Sequence, residues 1–154
     1  MSERSEPTPI HELHVILAVR SGAEAMAFYT HVFGARETMR LTEPSGRIAH
    51  AELQLDGVTL MLADERPEDG FLSPLAFGGS GTLLHLHVAN VDSIMARALE
   101  AGATVLRPAA DEGHGERQAK FRDPFGHEWL LGHQLEKLSD EEIQRRFERE
   151  QATQ

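Results

Sequence analysis

The hydrophobic pattern switches between two periods along the chain. Residues 11–20, HELHVILAVR, form an apolar run with enough β-branched side chains for a strand, and Gly22 ends it. Residues 23–33, AEAMAFYTHVF, place apolar side chains at helical spacing, and Gly34 supplies a stop. The next segments predict three short strands, over residues 36–42, 47–55 and 58–64. The first part of the chain therefore predicts a strand, a helix and three strands.

The same order of elements returns after a stretch rich in proline and glycine. That stretch, residues 65–81, is predicted to be a linker loop. The elements predicted after it are a strand, a helix and three strands, over residues 82–88, 91–101, about 103–108, 116–122 and 127–132. Val88 follows Val19 by 69 residues, and Gly126 follows Gly57 by the same 69 residues. A repeat of this length indicates a duplicated module rather than a solenoid.

Turn and cap signals mark the end of the chain. In residues 121–131, FRDPFGHEWLL, the run from Asp123 to Gly126 is typical of a tight turn that leads into a last strand. Ser139 and Glu142 have the spacing of a capping box, which predicts a charged helix in a tail over residues 134–154. Residues 1–10 are polar and contain prolines, and are predicted to be a disordered lead.

Composition narrows the possible functions. The 154 residues carry a formal net charge of −10, so the chain lacks the cationic surplus that binding a phosphate backbone requires. The absence of cysteine excludes disulfides and thiolate metal sites. There is no apolar run of the kind found in signal peptides or membrane spans. We expect one compact domain, a cytoplasmic location, and neither nucleic-acid nor membrane partners.

Several short motifs carry a family resemblance. They are Phe28-Tyr29, Gly34-Ala35, Gly102-Ala103, VANVD at 88–92 and DPFGHEW at 123–129. In this order they resemble the vicinal oxygen chelate superfamily, which includes glyoxalases, bleomycin-resistance proteins and extradiol dioxygenases. The match covers roughly residues 11–133, and the DPFGHEW turn with the tail SDEEIQRR is similar to the PhnB-like branch.

The resemblance implies a fold and an assembly. The expected fold is α/β (α+β), with two tandem βαβββ modules over residues 11–64 and 82–133. In such proteins each module curls its strands into a half-open cup of mixed sheet, with the helix on the convex side and a ligand on the concave side. Relatives of this kind often complete their cavities across a paired interface, so a homodimer is expected.

Alternation of side chains along a strand assigns residues to the two sides of this cup. Ala51, Leu53 and Leu55 should pack under the helix, and Trp129 should belong to the core. The residues expected to line the cup and bind a ligand are His14, His50, Glu52, Met61, His85, His87 and Glu128. Glu52 and Glu128 are the candidates for moving a proton. Glu128 lies next to the turn, so a place at the solvated rim is an equal alternative.

The resemblance also poses a question about metal. Metal-dependent members take one ligand from the first and one from the fourth strand of each module, and those positions are here His14, Met61, Leu83 and Leu130. Only His14 suits a hard or borderline divalent ion, so no metal cofactor is expected at these positions. A register shift of two residues would offer an alternative site for one divalent ion, formed by His14, Glu52 and His85. Otherwise His85 and His87 are neutral pocket liners.

Functions from different classes remain open at this point. The first is a metal-independent binding or resistance-type protein that sequesters a small organic ligand in the cup. The second is a metal-dependent lyase, isomerase or dioxygenase, in which an ion polarises a carbonyl and a glutamate moves a proton. A partner-binding subunit with an empty cup is a third. The identity of the ligand does not follow from the residues.

Overall fold

A computed structural model describes residues 5–154 of the chain. Eight strands and three helices are present in the described part. In chain order they are β1 (Ile16–Val19), α1 (Gly22–Phe33), β2 (Arg36–Thr42), β3 (Ile48–Leu55), β4 (Val58–Asp64), β5 (Leu83–His87), α2 (Val91–Glu100), β6 (Thr104–Asp111), β7 (Glu116–Arg122), β8 (Glu128–Gln134) and α3 (Asp140–Ala152). None of the helices in this range has both the length and the apolar character that crossing a membrane requires.

The strands form two four-stranded mixed sheets of the same topology. The first sheet has the order β1-β4-β3-β2, and the second has the order β5-β8-β7-β6. In each sheet the first strand of the module runs parallel to its fourth strand, as β1 does to β4 and β5 to β8. The other neighbouring strands are antiparallel. Ile16 pairs with Met61, and His85 pairs with Leu130, so the 69-residue offset holds for the register itself. The predicted α+β fold of two βαβββ modules is confirmed.

The helix starts repeat as well. Ser21 caps α1 by accepting from the backbone of Glu24, and Asn90 caps α2 in the same way. The first backbone N–H of α1 donates to the Asp64 carboxylate, whereas that of α2 donates to Nδ1 of His133, 69 residues later. The duplicated modules thus keep the cap position while the side chain that fills it has changed.

Most element bounds follow the sequence pattern, and β1 is the exception. The strand predicted over residues 11–20 begins only at Ile16, because its pairing with β4 begins there. Residues 5–15 form neither helix nor strand and are exposed. The predicted disordered lead lies partly outside the described residues, since its first four are not among them. The linker after β4 contains two short 3-10 turns, Pro67–Asp69 and Pro74–Ala76.

The two modules share one hydrophobic core, and the helices lie inside it. On α1, Phe28 lies 6.4 Å from the ring of Phe121 in β7, and Phe33 lies 4.8 Å from the ring of Trp129 in β8. The α1 helix therefore packs against the second sheet as well as its own, and α2 packs beside it. Trp129 is 2 % exposed, so its predicted place in the core is confirmed.

The carboxylate of Asp123 joins the modules in this core. Its Oδ1 accepts hydrogen bonds from the backbone N–H groups of Phe125 and His127, which closes the turn before β8. Its Oδ2 accepts from the Tyr29 hydroxyl at 2.5 Å and from the Trp129 indole at 2.9 Å. Gly126 completes the turn at a φ of 96°, a conformation that favours glycine. The predicted turn thus also connects the second module to α1 through the hydrogen bond between Asp123 and Tyr29.

Because one face of each sheet packs on the shared core, the opposite face of each sheet turns away from it. Ala51 and Leu53 of β3 are buried on the core side, as predicted, and so are Ala119 and Phe121 of β7. We call the other side of the first sheet the first outer face, with Ile16, Met39, Leu41, His50, Glu52 and Met61. The second outer face carries Leu83, His85, His87, Gln118, Lys120, Glu128 and Leu130.

Replacing Tyr29 by phenylalanine should lower the free energy of unfolding by about 1–3 kcal/mol, because Asp123 stays buried and loses one donor. Urea unfolding followed by the fluorescence of Trp129 measures this. In the Asp123→Asn variant the amide nitrogen would face hydrogen-bond donors, so both substitutions disturb the same interaction. The free-energy cost of the double variant should therefore differ from the sum of the two single costs by at least about 0.5 kcal/mol. Strictly additive costs would contradict a direct tie between the modules.

Burial of the hydroxyl, with the Asp123 carboxylate beside it, raises the pKa of Tyr29 well above its ordinary value of 10.0. Above that pH the unfolded chain loses the tyrosine proton while the folded chain keeps it, so unfolding becomes easier. The stability advantage of the native protein over Tyr29→Phe should therefore shrink as the pH rises above about 10. Tyr29 is the chain's only tyrosine, so tyrosinate absorbance reads it directly. A tyrosinate titration of the folded protein with its midpoint at the ordinary pKa of 10.0 would refute the raised pKa of Tyr29.

Candidate functional site

The first outer face combines apolar side chains with one histidine and one carboxylate. Glu52 lies between Met61 of β4 and Met39 of β2, which are its register partners on the two sides. His50 lies two residues from Glu52, and its Nε2 is 3.8 Å from the Glu52 carboxylate. Three of the predicted ligand-binding residues, His50, Glu52 and Met61, therefore share this face. Its apolar residues are exposed to an unusual degree: Ile16, Met39 and Leu41 are 48 %, 43 % and 54 % exposed.

The second outer face is more polar. His85 and His87 stand on the edge strand β5, and their rings lie 4.9 Å apart edge to face. Lys120 on β7 pairs with Leu130, which in turn pairs with His85. The predicted residues His85, His87 and Glu128 thus share one face of the second sheet. Leu83 and Leu130 lie there as well rather than under a helix, so the strand faces are as predicted.

Glu128 is held by cations. Its carboxylate oxygens lie 3.6 Å from Lys120 Nζ and 3.3 Å from an Arg122 guanidinium nitrogen, and the side chain is 15 % exposed. These two cationic neighbours compete with any substrate proton for the carboxylate's lone pairs. This environment favours a structural carboxylate over a general base. The catalytic roles of Glu52 and Glu128 stay predictions, and the two residues lie on different sheets.

His14 occupies a place that the sequence pattern did not predict. It precedes β1, and its Nε2 lies 2.7 Å from the carboxylate of Glu12 in the exposed amino-terminal segment. Within the described residues, His14, Glu52 and His85 do not come together as a group of metal-ligating atoms. The family positions His14, Met61, Leu83 and Leu130 offer one imidazole, one thioether and two hydrocarbon side chains. This donor set does not fit a divalent metal ion.

A different set of potential ligands does converge. In residues 5–154, one group of three or more histidine and carboxylate side chains has its ligand atoms within 4.8 Å of one another: His85, His87 and Glu116. Glu116 begins β7, and β8 lies between β7 and β5. His87 Nε2 is 3.4 Å from a carboxylate oxygen of Glu116. The two histidines were predicted to line a site, but their carboxylate partner was not.

Gly132 makes this convergence possible. It is the β8 residue opposite His87, and a methyl group placed on it would lie 2.6 Å from Glu116 Oε1 and 3.4 Å from His85 Nε2. Any side chain there would therefore displace the carboxylate. A glycine in the middle of an otherwise bulky strand is the sequence signal that could have revealed this close approach.

A cavity of about 260 Å³ lies between β1 and the linker loop. Val15 to Ala18 form one wall, Phe71 and Phe77 belong to the linker side, and Leu84 comes from β5. None of the residues that line it carries a permanent charge. His127 lies at the edge of this cavity and is 8 % exposed. Its Nε2 is 2.8 Å from the carbonyl oxygen of Ala18, and because a carbonyl can only accept, Nε2 is the donor.

Comparison with known proteins identifies the family. Residues 13–131 match the model of the Glyoxalase/Bleomycin resistance protein/Dioxygenase superfamily. The uncharacterized protein Mb0911c of Mycobacterium bovis is 39 % identical over 131 residues, which are 83 % of this chain and 86 % of that protein.

Solved structures agree with this match. The crystal structure of the Arabidopsis thaliana gene product At5g48480 aligns with a TM-score of 0.66 and 27 % identity over 80 % of this chain and 98 % of that one. TioX from Micromonospora sp. ML1 aligns with a TM-score of 0.62 and 29 % identity over 80 % of this chain and 100 % of that one. Because the family model covers most of the chain and the two sheets repeat as its modules do, this protein belongs to the glyoxalase/bleomycin resistance/dioxygenase superfamily.

Proposed function

We propose that this protein binds a small organic ligand between the first outer face of one chain and the second outer face of another, without a metal at the family's usual positions. The observation that carries the proposal is the first outer face, where Ile16, Met39 and Leu41 are between 43 % and 54 % exposed in a chain with a net charge of −10. Clustered apolar side chains on a polar protein indicate a surface that another molecule covers.

The chemistry of the two faces suggests the class of ligand. Methionine side chains such as Met39 and Met61 adapt to irregular apolar shapes. The second outer face offers Lys120 and two exposed imidazoles instead. A molecule with an apolar or aromatic body and a polar or anionic group would satisfy both faces. His50 and Glu52 would contact polar atoms of the ligand from the first face.

A second copy of the chain would supply the second wall of the proposed ligand cavity. Both outer faces turn away from the shared core, so a cavity with one face on each side requires a partner. The segment before β1 carries exposed apolar residues: Ile10 is 90 % exposed and Leu13 is 88 % exposed. Burying such residues against a partner would stabilise a homodimer. The proposal includes this homodimer.

The branch of the family is part of the same proposal. The DPFGHEW turn and the SDEEIQRR tail support placement in the PhnB-like branch, and the tail forms α3 with Ser139 as its cap. A metal-dependent lyase, isomerase or dioxygenase remains the alternative, for which two-histidine, one-carboxylate chemistry would be needed.

Anilinonaphthalene sulfonate, an aromatic anion, is a suitable probe of the proposed cavity. Leu41→Asp should weaken its binding at least about tenfold, because the substitution puts a charge on the apolar wall. Val58→Asp is the matched control: Val58 is also 54 % exposed, but it lies on the core side of its strand. Fluorescence titration measures both. Equal binding by the two variants would refute a ligand site on the first outer face.

Sedimentation equilibrium should give twice the 17.1 kDa chain mass at micromolar concentration. Ile10→Asp with Leu13→Asp should shift the protein towards monomer, since two apolar side chains that the proposed dimer buries would become charged. Circular dichroism checks that the variant is folded. A native protein that is monomeric under these conditions contradicts the dimer.

A further inference from the structure

We propose that His85, His87 and Glu116 bind one divalent transition-metal ion of the zinc class above Gly132 on the second outer face. The site is separate from the family's usual positions, and it does not rest on the proposed binding of an organic ligand.

The strand geometry brings three donors to one point. His85 and His87 are two residues apart on β5, so their imidazoles stand on the same face. Neighbouring strands are about 4.8 Å apart, so Glu116 on β7 must reach across β8 to meet them. Gly132 leaves that path open, because its place would otherwise hold a side chain within 2.6 Å of Glu116 Oε1.

The separations suit a metal ion. His87 Nε2 and the Glu116 carboxylate are 3.4 Å apart. Two ligands that bond a tetrahedral zinc at about 2.0–2.1 Å are themselves about 3.4 Å apart. His85 Nε2 and Glu116 Oε1 both approach the same space above Gly132, and the three residues' ligand atoms lie within 4.8 Å of one another. Small side-chain rotations would complete the coordination of one ion.

The charge on Glu116 lacks a permanent partner. Among residues 5–154, no lysine or arginine lies within ion-pairing distance of Glu116, and its ion-pair contact is with His87. Glu128 on the same face is instead paired with Lys120 and Arg122. Gln118 donates from its amide to Glu116 Oε1 at 3.3 Å and so orients the carboxylate. On the second outer face, a bound cation would balance the carboxylate that, unlike Glu128, has no lysine or arginine beside it.

The corresponding place in the first module shows that the cluster does not follow from the fold alone. By strand register, His85 and His87 correspond to Ile16 and Ala18, and Glu116 corresponds to Ile48, because β7 is offset from β3 by 68 residues. None of these three is a suitable metal ligand. Gly132 corresponds to Ala63. All three donors and the glycine that admits them are thus specific to the second module. His85 and His87 are exposed, so an ion would reach the site and keep positions open for water or substrate.

Zinc titration of chelator-treated protein by calorimetry tests the site, with zinc as the only added ligand. We expect one zinc per chain and a higher unfolding temperature in its presence. Glu116→Gln keeps the shape and the acceptor for Gln118 but removes the charge, and His87→Ala removes a donor. Each should weaken binding at least about 100-fold, since the loss of mere outer-shell support of a metal ligand costs about 10–100-fold. His31→Ala, an exposed histidine on α1, is the matched control and should bind zinc as the native protein does.

Gly132→Ala gives an independent reading, because it removes no ligand. Its methyl group would push Glu116 away, so zinc affinity should fall by about 10–100-fold while the circular dichroism spectrum is unchanged. The visible absorption of bound cobalt should report a site with nitrogen and oxygen ligands and should be lost in Glu116→Gln. Native-like zinc binding by both Glu116→Gln and His87→Ala would overturn the assignment. Loss of binding in Glu52→Gln instead would favour the set of His14, Glu52 and His85.

Discussion

The carboxylate of Asp123 accepts four hydrogen bonds inside the core, two from its own turn and two from the aromatic side chains Tyr29 and Trp129. A buried carboxylate is tolerated only where donors surround it, so the turn, α1 and β8 must be in place together. This requirement holds Tyr29 of α1 against the turn and against Trp129 of β8. With α1 between the sheets, both outer faces are left free for ligands and partners.

Divergence between the modules is concentrated on those outer faces. The core sides of β3 and β7 both remain apolar, and the caps of both helices remain polar side chains at equivalent positions. The first outer face is apolar and rich in methionine, whereas the second carries imidazoles and cations. Packing constrains the buried side of a duplicated module, while the exposed side is free to take on different chemistry.

Sequence reasoning succeeded where local rules decide the outcome. The bounds of β2 and β7 match the predicted segments, the strand order repeats, and the 69-residue offset holds for the pairing of β1 with β4 and of β5 with β8. It did not find the start of β1, which depends on where pairing with β4 begins. It also missed Glu116: a glycine within β8 signals that something approaches closely, but which residue reaches across it depends on the long-range pairing of β5, β8 and β7.

The shared core has a thermodynamic consequence for a chain that repeats one module twice. Each module contributes aromatic rings that the other covers, so either half alone would expose Phe28, Phe33, Phe121 and Trp129 to water. The free energy of that exposure couples the halves, and they should open as one cooperative unit rather than in sequence. The repeat in sequence is thus combined with one core that neither half completes alone.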